Sequence, residues 1–216
     1  KAFNSQFPKN ALNRSDVLST WAGVRPVIGA EKSKDPSKER RDHAVWSDNG
    51  LITVSGGKLT TFRLIALDAL LAAKDNLPAA KEYHDDRMFL TPEVSAESLS
   101  PKNSSWGQRL LGRYGEKAID LVNGSSPNEQ NNLNETEFSL AECLWAIKYE
   151  AVEHLDDLLL RRTRLGMCLS NGGTELYPPL KEMFLNNLSW DEERWQKEVD
   201  RYEKIWKNHY SLPAQT

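Results

Sequence analysis

The sequence predicts an α+β protein in which a part that mixes short strands with helix precedes a part that is almost wholly helical. Two observations predict this division. Residues 1–87 contain short apolar runs separated by turn signals, whereas residues 104–216 contain periodic apolar patterns interrupted by glycine and helix caps. A polar stretch bearing proline and serine, residues 88–103, indicates a linker between two domains.

The first part contains one clear hairpin and one long helix. Ser15 predicts the N-cap of a short helix, DVLSTWAG, that ends at Gly23. The stretch HAVWSDNGLITVS places two apolar runs on either side of Asp-Asn-Gly, which is the pattern of a tight β-hairpin. Apolar residues from Leu59 to Ala73 then recur at steps of three and four, which predicts a helix that ends before Pro78.

The second part shows helix caps and stops in sequence. Ser139 and Glu142 have the spacing of a capping box before LAECLWAIKYE. Ser189 and Glu192 have the same spacing before the last helix. The stretch HLDDLLLRRTRLG predicts a further helix, and Gly166 is its expected end.

The basic cluster RRTR, residues 161–164, is interpreted as ion-paired with Asp156, Asp157 and Glu153, because charge runs usually lie on solvated or paired faces. A phosphate or anionic-lipid contact is the alternative. The last helix is rich in large apolar side chains, which we interpret as core, with docking on the missing part of the polypeptide or on a partner subunit as the alternative. These residues are Trp190, Trp195, Val199, Tyr202, Ile205, Trp206 and Tyr210.

Composition excludes several classes of protein. The 216 residues carry a net charge of -3, which argues against general nucleic-acid binding. The longest apolar run is far shorter than a membrane span. Cys143 and Cys168 form no CxxC pair, so we expect free thiols in a reducing compartment. The histidines lack the spacing of ligands, and no metal site is predicted.

The stretch LITVSGGKLTTF suggests a ligand site. Gly56 and Gly57 separate the second strand of the hairpin from the helix, and glycine lets a ligand approach the backbone closely. The N-terminus of a helix leaves N–H groups unpaired and carries a partial positive charge. The turn therefore suits a phosphate, a carboxylate or the anion of a reduced flavin. An ordinary strand-to-helix turn is the alternative, because Gly-Gly-Lys is a short motif.

Two nucleotide-binding motifs are absent from the sequence. A P-loop requires glycine where Ile52 stands, and Ser or Thr where Leu59 stands. No GxGxxG fingerprint occurs among the 12 glycines. If the turn contacts a cofactor, the main cofactor-binding segment lies outside this sequence. The chain also begins KAFNSQFPKN without Met, so we expect a fragment of a longer polypeptide.

Three cationic residues lie in the first part of the chain: Arg25 in GVRP, Arg41 in RRDH and Lys58 in GGKLTT. Arg can bind phosphate through two parallel hydrogen bonds, whereas Lys acts as a point charge. If the three side chains converge, the natural ligand is a small phosphorylated or doubly charged molecule. A structural ion pair is the alternative for Arg25.

Several stretches together carry a resemblance to a known family. VLSTWAGVRPVI, RRDHAV and GLITVSGGKLTTFRLIA resemble, in order and spacing, the later part of FAD-dependent glycerol-3-phosphate dehydrogenases. AECLWAIKYEAVEHLDDLLLRRTRLGM is similar to the C-terminal helical domain of that family. The resemblance implies that residues 1–87 are the C-terminal part of an FAD- and substrate-binding domain. Residues 88–103 would be the linker, and residues 104–216 a helical accessory domain.

The resemblance also implies an activity. Such enzymes oxidise sn-glycerol 3-phosphate to dihydroxyacetone phosphate, with hydride transfer to FAD and electrons passed to a quinone, or to oxygen in oxidase members. Arg25 and Lys58 would be catalytic, and Arg25, Arg41 and Lys58 would bind the substrate. The turn would lie against the flavin and stabilise negative charge on it. Its residues are Gly56, Gly57, Lys58, Leu59, Thr60 and Thr61.

Other consequences of the resemblance stay open. Members that use quinones lie on the membrane surface, so the expected location is cytoplasmic or peripheral on the inner membrane, and a homo-oligomer is compatible with it. His43 stands where the family commonly has an aromatic residue, so we interpret it as structural. Because the GxGxxG segment is missing, we expect the isolated chain to be inactive. The alternatives are a stand-alone helical binding module and a fragment of a flavin amine or amino-acid oxidase.

Overall fold

The computed structural model describes residues 2–24, 42–77, 95–99, 104–133 and 136–213. Within these ranges the chain forms helices and one two-stranded antiparallel sheet, so the predicted α+β class is confirmed. In the same ranges, the helices are all too short or too polar to cross a lipid bilayer. Most of the predicted linker, residues 88–103, lies outside the described part of the chain, and so do Arg25 and Arg41.

The chain divides into two compact units. The helical unit comprises residues 1–22 and 90–216, and the strand–helix unit comprises residues 23–89. The first residues of the chain therefore belong to the same unit as the helices that follow the hairpin. The assignment of residues 1–87 to a cofactor- and substrate-binding domain stays a prediction.

The helical unit begins with α1, Ala2–Gln6, followed by mostly irregular chain. The Asn13 side chain accepts a hydrogen bond from the backbone N–H of Ser15 at 2.9 Å. A single 3₁₀ turn, Arg14–Asp16, follows this cap, and residues 17–24 form no helix. The helix predicted after Ser15 is therefore wrong, because Asn13 takes the capping role and Ser15 lies within the capped turn.

The strand–helix unit is built on the hairpin that the sequence predicts. Strand β1, His43–Asp48, pairs with the antiparallel strand β2, Leu51–Gly56. Asn49 and Gly50 connect the strands with φ of 47° and 84°. Both residues thus lie in the left-handed region that a tight two-residue hairpin turn requires, which is the reason for the Asn-Gly sequence. The hairpin prediction is confirmed.

Helix α2, Phe62–Ala72, follows the hairpin after a short 3₁₀ turn at Leu59–Thr61. A further 3₁₀ turn, Lys74–Asn76, ends the regular structure before Pro78. The helix predicted in this region is confirmed. None of the residues of β1, β2 and α2 is buried.

The remainder of the helical unit is a packed array of helices. They are α3, Ala96–Leu99; α4, Ser104–Tyr114; α5, Lys117–Asn123; α6, Leu140–Tyr149; a π-helical segment, Asp157–Arg162; α7, Leu165–Cys168; α8, Tyr177–Asn187; and α9, Glu192–His209. The larger hydrophobic core joins α6, the π-helical segment, α8 and α9, and a smaller cluster lies between α4, α5 and α6. In the larger core, Trp195, Val199 and Tyr202 are buried, and Trp190, Ile205, Trp206 and Tyr210 pack against them. The core interpretation of these residues is confirmed.

One of the two predicted capping boxes is confirmed. The Glu142 side chain accepts a hydrogen bond from the backbone N–H of Ser139 at 3.0 Å, and Ser139 caps α6 in return. Ser189 does not cap α9. The Asp191 side chain accepts from the backbone N–H of Arg194 at 2.8 Å and takes that position. The prediction is wrong there because a better-placed carboxylate stands two residues further on.

The helix predicted over HLDDLLLRRTRLG is interrupted, and it does not end at Gly166. Arg164 adopts a left-handed conformation, with φ of 60°, between the π-helical segment and α7. Gly166 lies buried inside α7, where an added Cβ would collide with the hydroxyl oxygen of Tyr202. Glycine is therefore required here by the close approach of α9, not as a helix stop.

Candidate functional site

The candidate site is the turn between β2 and α2, residues Gly56–Thr61. Gly56 and Gly57 have φ of 78° and 88°, a conformation that L side chains rarely adopt. A Cβ at Gly57 would lie 2.5 Å from Cδ1 of Ile65 and 3.2 Å from Cβ of His43. The packing of the unit on itself thus already requires Gly57 to be glycine, independently of any ligand.

The backbone after the glycines is free to bind an anion. Lys58, Leu59 and Thr60 are exposed, and their N–H groups have no acceptor among the described residues. Thr61 is different, because its N–H and its Oγ1 both donate to the carbonyl oxygen of Lys58, at 3.0 Å each. The three unpaired N–H groups lie at the positive end of α2, where they can donate to a negatively charged group.

The structure describes one of the three predicted cations. The Lys58 side chain has no ion-pair partner within the described ranges, so its ammonium group is available at the turn. Arg25 and Arg41 lie outside the described residues. Their convergence with Lys58 therefore stays a prediction. The turn residues Gly56 to Thr61 do lie together, as their sequence order requires.

His43 joins the two parts of the strand–helix unit. Its Nε2 lies 2.6 Å from Oδ2 of Asp68, so the pair links β1 to α2 beside the glycine turn. The Cβ of His43 also faces Gly57. These contacts support the structural interpretation of His43, because they hold the hairpin against the helix.

Within the basic cluster of the helical unit, Arg161 forms internal ion pairs. Arg161 pairs with buried Asp156 and lies 3.1 Å from Asp157. Arg201 of α9 pairs with Asp156 as well. Burial alone would raise the pKa of Asp156, but the hydrogen bonds and charges of the two arginines outweigh it and hold the pKa below its ordinary value. The ion-pair interpretation is confirmed for Arg161, whereas the side chain of Glu153 forms no ion pair with any described residue.

A second buried carboxylate, Glu198, was not predicted. Its Oε1 lies 2.9 Å from Nδ1 of His154 and 2.8 Å from the guanidinium of Arg194. A sequence signal for it exists, because Glu198 shares the buried face of α9 with Trp195 and Tyr202 at helical spacing. An acidic residue on an apolar stripe needs an internal partner, and these contacts supply one.

The two cysteines are free thiols, as predicted. Cys143 is buried in the larger core, and burial raises its pKa to about 12, so it stays protonated at neutral pH. Cys168 is exposed at the end of α7. Among the described residues there is no group of His, Cys, Asp or Glu side chains that could hold a metal ion.

Comparison with known proteins identifies the family. Residues 79–195, more than half of the chain, match the C-terminal domain of alpha-glycerophosphate oxidase. The chain belongs to this family. The match falls mainly on the helical unit, so the family assignment agrees with the resemblance of that part of the sequence.

Named relatives extend the similarity to the strand–helix unit. The mitochondrial glycerol-3-phosphate dehydrogenase of Macaca fascicularis is 30% identical over 90% of this chain, which spans 29% of that protein. The aerobic glycerol-3-phosphate dehydrogenase of Bacillus subtilis is 28% identical over 95% of the chain and 41% of that protein. Glycerol-3-phosphate dehydrogenase 2 of Mycobacterium bovis is 30% identical over 88% of this chain, which spans 35% of that protein. The chain therefore spans well under half the length of these relatives.

Proposed function

We propose that this chain is the C-terminal part of an FAD-dependent glycerol-3-phosphate dehydrogenase, which oxidises sn-glycerol 3-phosphate to dihydroxyacetone phosphate. The observation that carries the proposal is the similarity to glycerol-3-phosphate dehydrogenases over 88% to 95% of the chain. Alignments of that extent leave out only a small part of the sequence, so they include the turn Gly56–Thr61.

The geometry of the turn fits the pyrimidine edge of a flavin. Three exposed N–H groups, those of Lys58, Leu59 and Thr60, lie at the positive end of α2. Gly56 has no side chain to block the approach of a planar ring. FAD, when bound, supplies the two-electron acceptor for the alcohol. With FAD bound, the backbone N–H groups and the Lys58 ammonium would stabilise negative charge beside them, because they would be in position before the reaction begins.

The substrate in this proposal is recognised through its phosphate and its hydroxyl. Arg25, Arg41 and Lys58 supply positive charge, and Arg25 and Lys58 act nearest to the reacting hydroxyl. A dianionic phosphate gains from several cations, whereas an amine substrate does not. We therefore place a flavin amine or amino-acid oxidase second.

The finer features of the proposal concern the electron acceptor and the location. A quinone would accept the electrons, and the enzyme would act at a membrane surface on the cytoplasmic side. Residues 1–87 contribute to the FAD- and substrate-binding domain. Residues 104–216 form an accessory domain that supports assembly, with its charged clusters paired internally at Asp156 and Glu198.

The test is kinetic and uses the complete natural polypeptide that contains this sequence. Replacing Lys58 or Arg25 by Ala should lower kcat/KM for glycerol 3-phosphate by about tenfold or more, which is about 1.4 kcal/mol of transition-state stabilisation. Lys74→Ala is the matched control, because Lys74 is an exposed lysine just after the far end of α2. Its kinetics should be unchanged.

Two outcomes would contradict the proposal. Unchanged kinetics in both Lys58→Ala and Arg25→Ala would remove the site assignment. A complete protein that oxidises amines or amino acids, and leaves glycerol 3-phosphate untouched, would favour the related oxidase instead. Flavin absorbance of the purified protein provides a separate readout, since Lys58→Ala should still contain flavin if its main role is toward the substrate.

A further inference from the structure

A segment that precedes the hairpin, residues 13–20 and here called the strap, is bound to the C-terminal end of α9. The backbone N–H of Thr20 donates to the carbonyl oxygen of Tyr210 at 2.8 Å. The Oγ1 of Thr20 donates to the carbonyl oxygen of Ser211 at 3.1 Å. Carbonyl groups at a helix C-terminus lack partners within the helix. Thr20 therefore pairs two carbonyl groups at the end of α9 from a position about 190 residues earlier in the chain.

Two further hydrogen bonds hold the strap. The Oγ of Ser19 donates to the carbonyl oxygen of Met167, which lies in α7, at 2.8 Å. The guanidinium of Arg14 donates to the carbonyl oxygen of Pro213, beyond the end of α9. The strap thus joins α7 to the end of α9, and all of these groups belong to the helical unit.

The strap also forms one wall of a cleft in the helical unit. Leu18 lines this cleft, which has a volume of about 690 Å³, together with residues in or next to α7, among them Leu165, Cys168 and Leu169. Leu165 is buried and Leu169 is half-buried, whereas the thiol of Cys168 is exposed. Removal of the strap would therefore expose apolar side chains beside a thiol.

The strap buries little apolar area of its own. None of residues 2–24 is buried, and Val17 and Leu18 are 39% and 45% exposed. Leu155 and Phe184 of the larger core, in contrast, are completely buried. Burial of apolar area is the main source of folding free energy, whereas a single hydrogen bond contributes little net. Opening the strap therefore costs less free energy than unfolding the core, which is the condition for local opening of a native structure.

We infer that the strap opens separately: it detaches from α7 and from the end of α9 while the core of the helical unit stays folded. Its opening removes the wall that Leu18 provides and gives larger molecules access to the cleft beside Cys168. This device lies within one unit, and it is independent of the proposed activity on glycerol 3-phosphate.

Amide hydrogen exchange in the complete natural polypeptide tests whether the strap opens separately. The double variant Ser19→Ala with Thr20→Val removes both side-chain hydrogen bonds, keeps similar side-chain volume and retains the backbone amide of Thr20 as the reporter. Exchange at this amide should become about fivefold to a hundredfold faster, because two hydrogen bonds that stabilise the closed strap are lost. Exchange in α8, which belongs to the larger core, should be unchanged.

The variant Phe184→Leu provides the converse test. The smaller side chain leaves space in the core, so exchange in α8 should become about tenfold faster or more. Exchange at the Thr20 amide should stay at the wild-type rate, because separate opening does not require the core to unfold.

Ser211→Ala is the matched control for the double variant. The Ser211 hydroxyl donates to the carbonyl oxygen of Lys207 at 2.6 Å, within the end of α9. Thr20 uses the Ser211 carbonyl instead, and the variant retains that carbonyl. Exchange at the Thr20 amide should therefore keep its wild-type rate in this control.

Labelling of Cys168 tests whether the cleft opens with the strap. A bulky maleimide should modify Cys168 about threefold faster or more in the double variant, because the wall formed by Leu18 is displaced more often. Methyl methanethiosulfonate, a small reagent, should react at an unchanged rate, because the thiol is already exposed in the closed structure. Peptide mass spectrometry assigns each modification to its cysteine.

Four results would overturn the inference. Acceleration at Thr20 equal to that of α8 in Phe184→Leu would show that the strap and the core unfold together. Unchanged exchange at Thr20 in the double variant would show that these side chains do not hold the strap closed. Equal acceleration in Ser211→Ala would indicate general loosening at the end of α9. Faster exchange at Thr20 with unchanged maleimide labelling would show that the strap does not control the cleft.

Discussion

The two units of the molecule differ in how they use their apolar side chains. In the helical unit, Leu110, Leu155 and Phe184 are completely buried in continuous cores. In the strand–helix unit, the side chains of Leu59 and Leu71 are 88% and 68% exposed, and no residue of β1, β2 or α2 is buried. Burial of apolar area is the main source of folding free energy. The helical unit therefore has its own source of stability, whereas β1, β2 and α2 of the strand–helix unit contribute little buried apolar area.

The two units also differ in whether their charged and polar groups are paired. Buried carboxylates of the helical unit, such as Asp156 and Glu198, form internal ion pairs. In the described part of the strand–helix unit, the ammonium group of Lys58 and the backbone N–H groups of Lys58, Leu59 and Thr60 have no partner. Buried, paired charges in one unit and exposed, unpaired groups in another are a usual division between support and function.

The largest expected effect comes from one apolar side chain in each unit. Phe184→Ala should lower the free energy of unfolding by about 3 to 5 kcal/mol, because a fully buried ring leaves a cavity in the larger core. Leu71→Ala should change it by about 0.5 kcal/mol or less, since the side chain is 68% exposed. Denaturant unfolding followed by circular dichroism measures both. Equal losses of unfolding free energy in the two variants would contradict the difference in burial between the two units.

An intermediate effect is expected from one carboxylate in each unit. Asp156→Asn should cost about 2 to 3 kcal/mol at neutral pH, because the buried carboxylate receives charge-assisted hydrogen bonds from Arg161 and Arg201. Asp68→Asn should cost about 1 kcal/mol or less, because Asp68 is 55% exposed and its partner is His43. Thermal unfolding at fixed pH distinguishes the two variants.

The pH dependence of the Asp156 effect has a defined sign. The folded-state pKa of Asp156 is lowered, so its stabilising contribution is present above its unfolded pKa of about 3.9 and is lost as the pH falls through the folded value. The stability gap between wild type and Asp156→Asn should therefore narrow as the pH decreases from about 5 toward about 2. A gap that widens with acid would show that Asp156 is not ionised in the folded chain.

The smallest expected effect comes from glycine in each unit. Gly50→Ala should destabilise the hairpin by about 1 kcal/mol, because Gly50 has φ of 84° while its Cβ would meet no atom within 4 Å. Gly112→Ala, inside α4 and also with open space, should stabilise the helical unit by up to about 1 kcal/mol. Amide hydrogen exchange reports the two regions separately. A stabilised hairpin in Gly50→Ala would contradict the backbone argument.

Sequence patterns predicted features whose physical cause is local. The hairpin followed from Asn49 and Gly50, and the α6 cap followed from Ser139 and Glu142, because neighbouring residues complete each of them. The end of the helix before Pro78 followed from covalent geometry. At the candidate site, the unpaired N–H groups of the turn could be predicted for the same reason, since every helix start leaves them.

Features decided by distant contacts were missed or misread. Gly166 looked like a helix stop, but its place inside α7 is set by Tyr202, far along the chain. The hydrogen bond from the backbone N–H of Thr20 to the carbonyl oxygen of Tyr210 had no sequence signal at all, because backbone groups carry no residue identity. The pairing of Glu198 with His154 had a weak signal, since only the acid stood out on an apolar face.

The sequence by itself determined the α+β class, the Asn-Gly hairpin and the glycine turn that opens a helix start to an anion. Only the tertiary structure decided which charges among the described residues are paired and where the first residues of the chain attach. The reason is the range of the interactions. Turns, caps and helix ends depend on residues a few positions apart, whereas burial, ion pairing and the bonds of Ser19 and Thr20 depend on segments that meet only after folding.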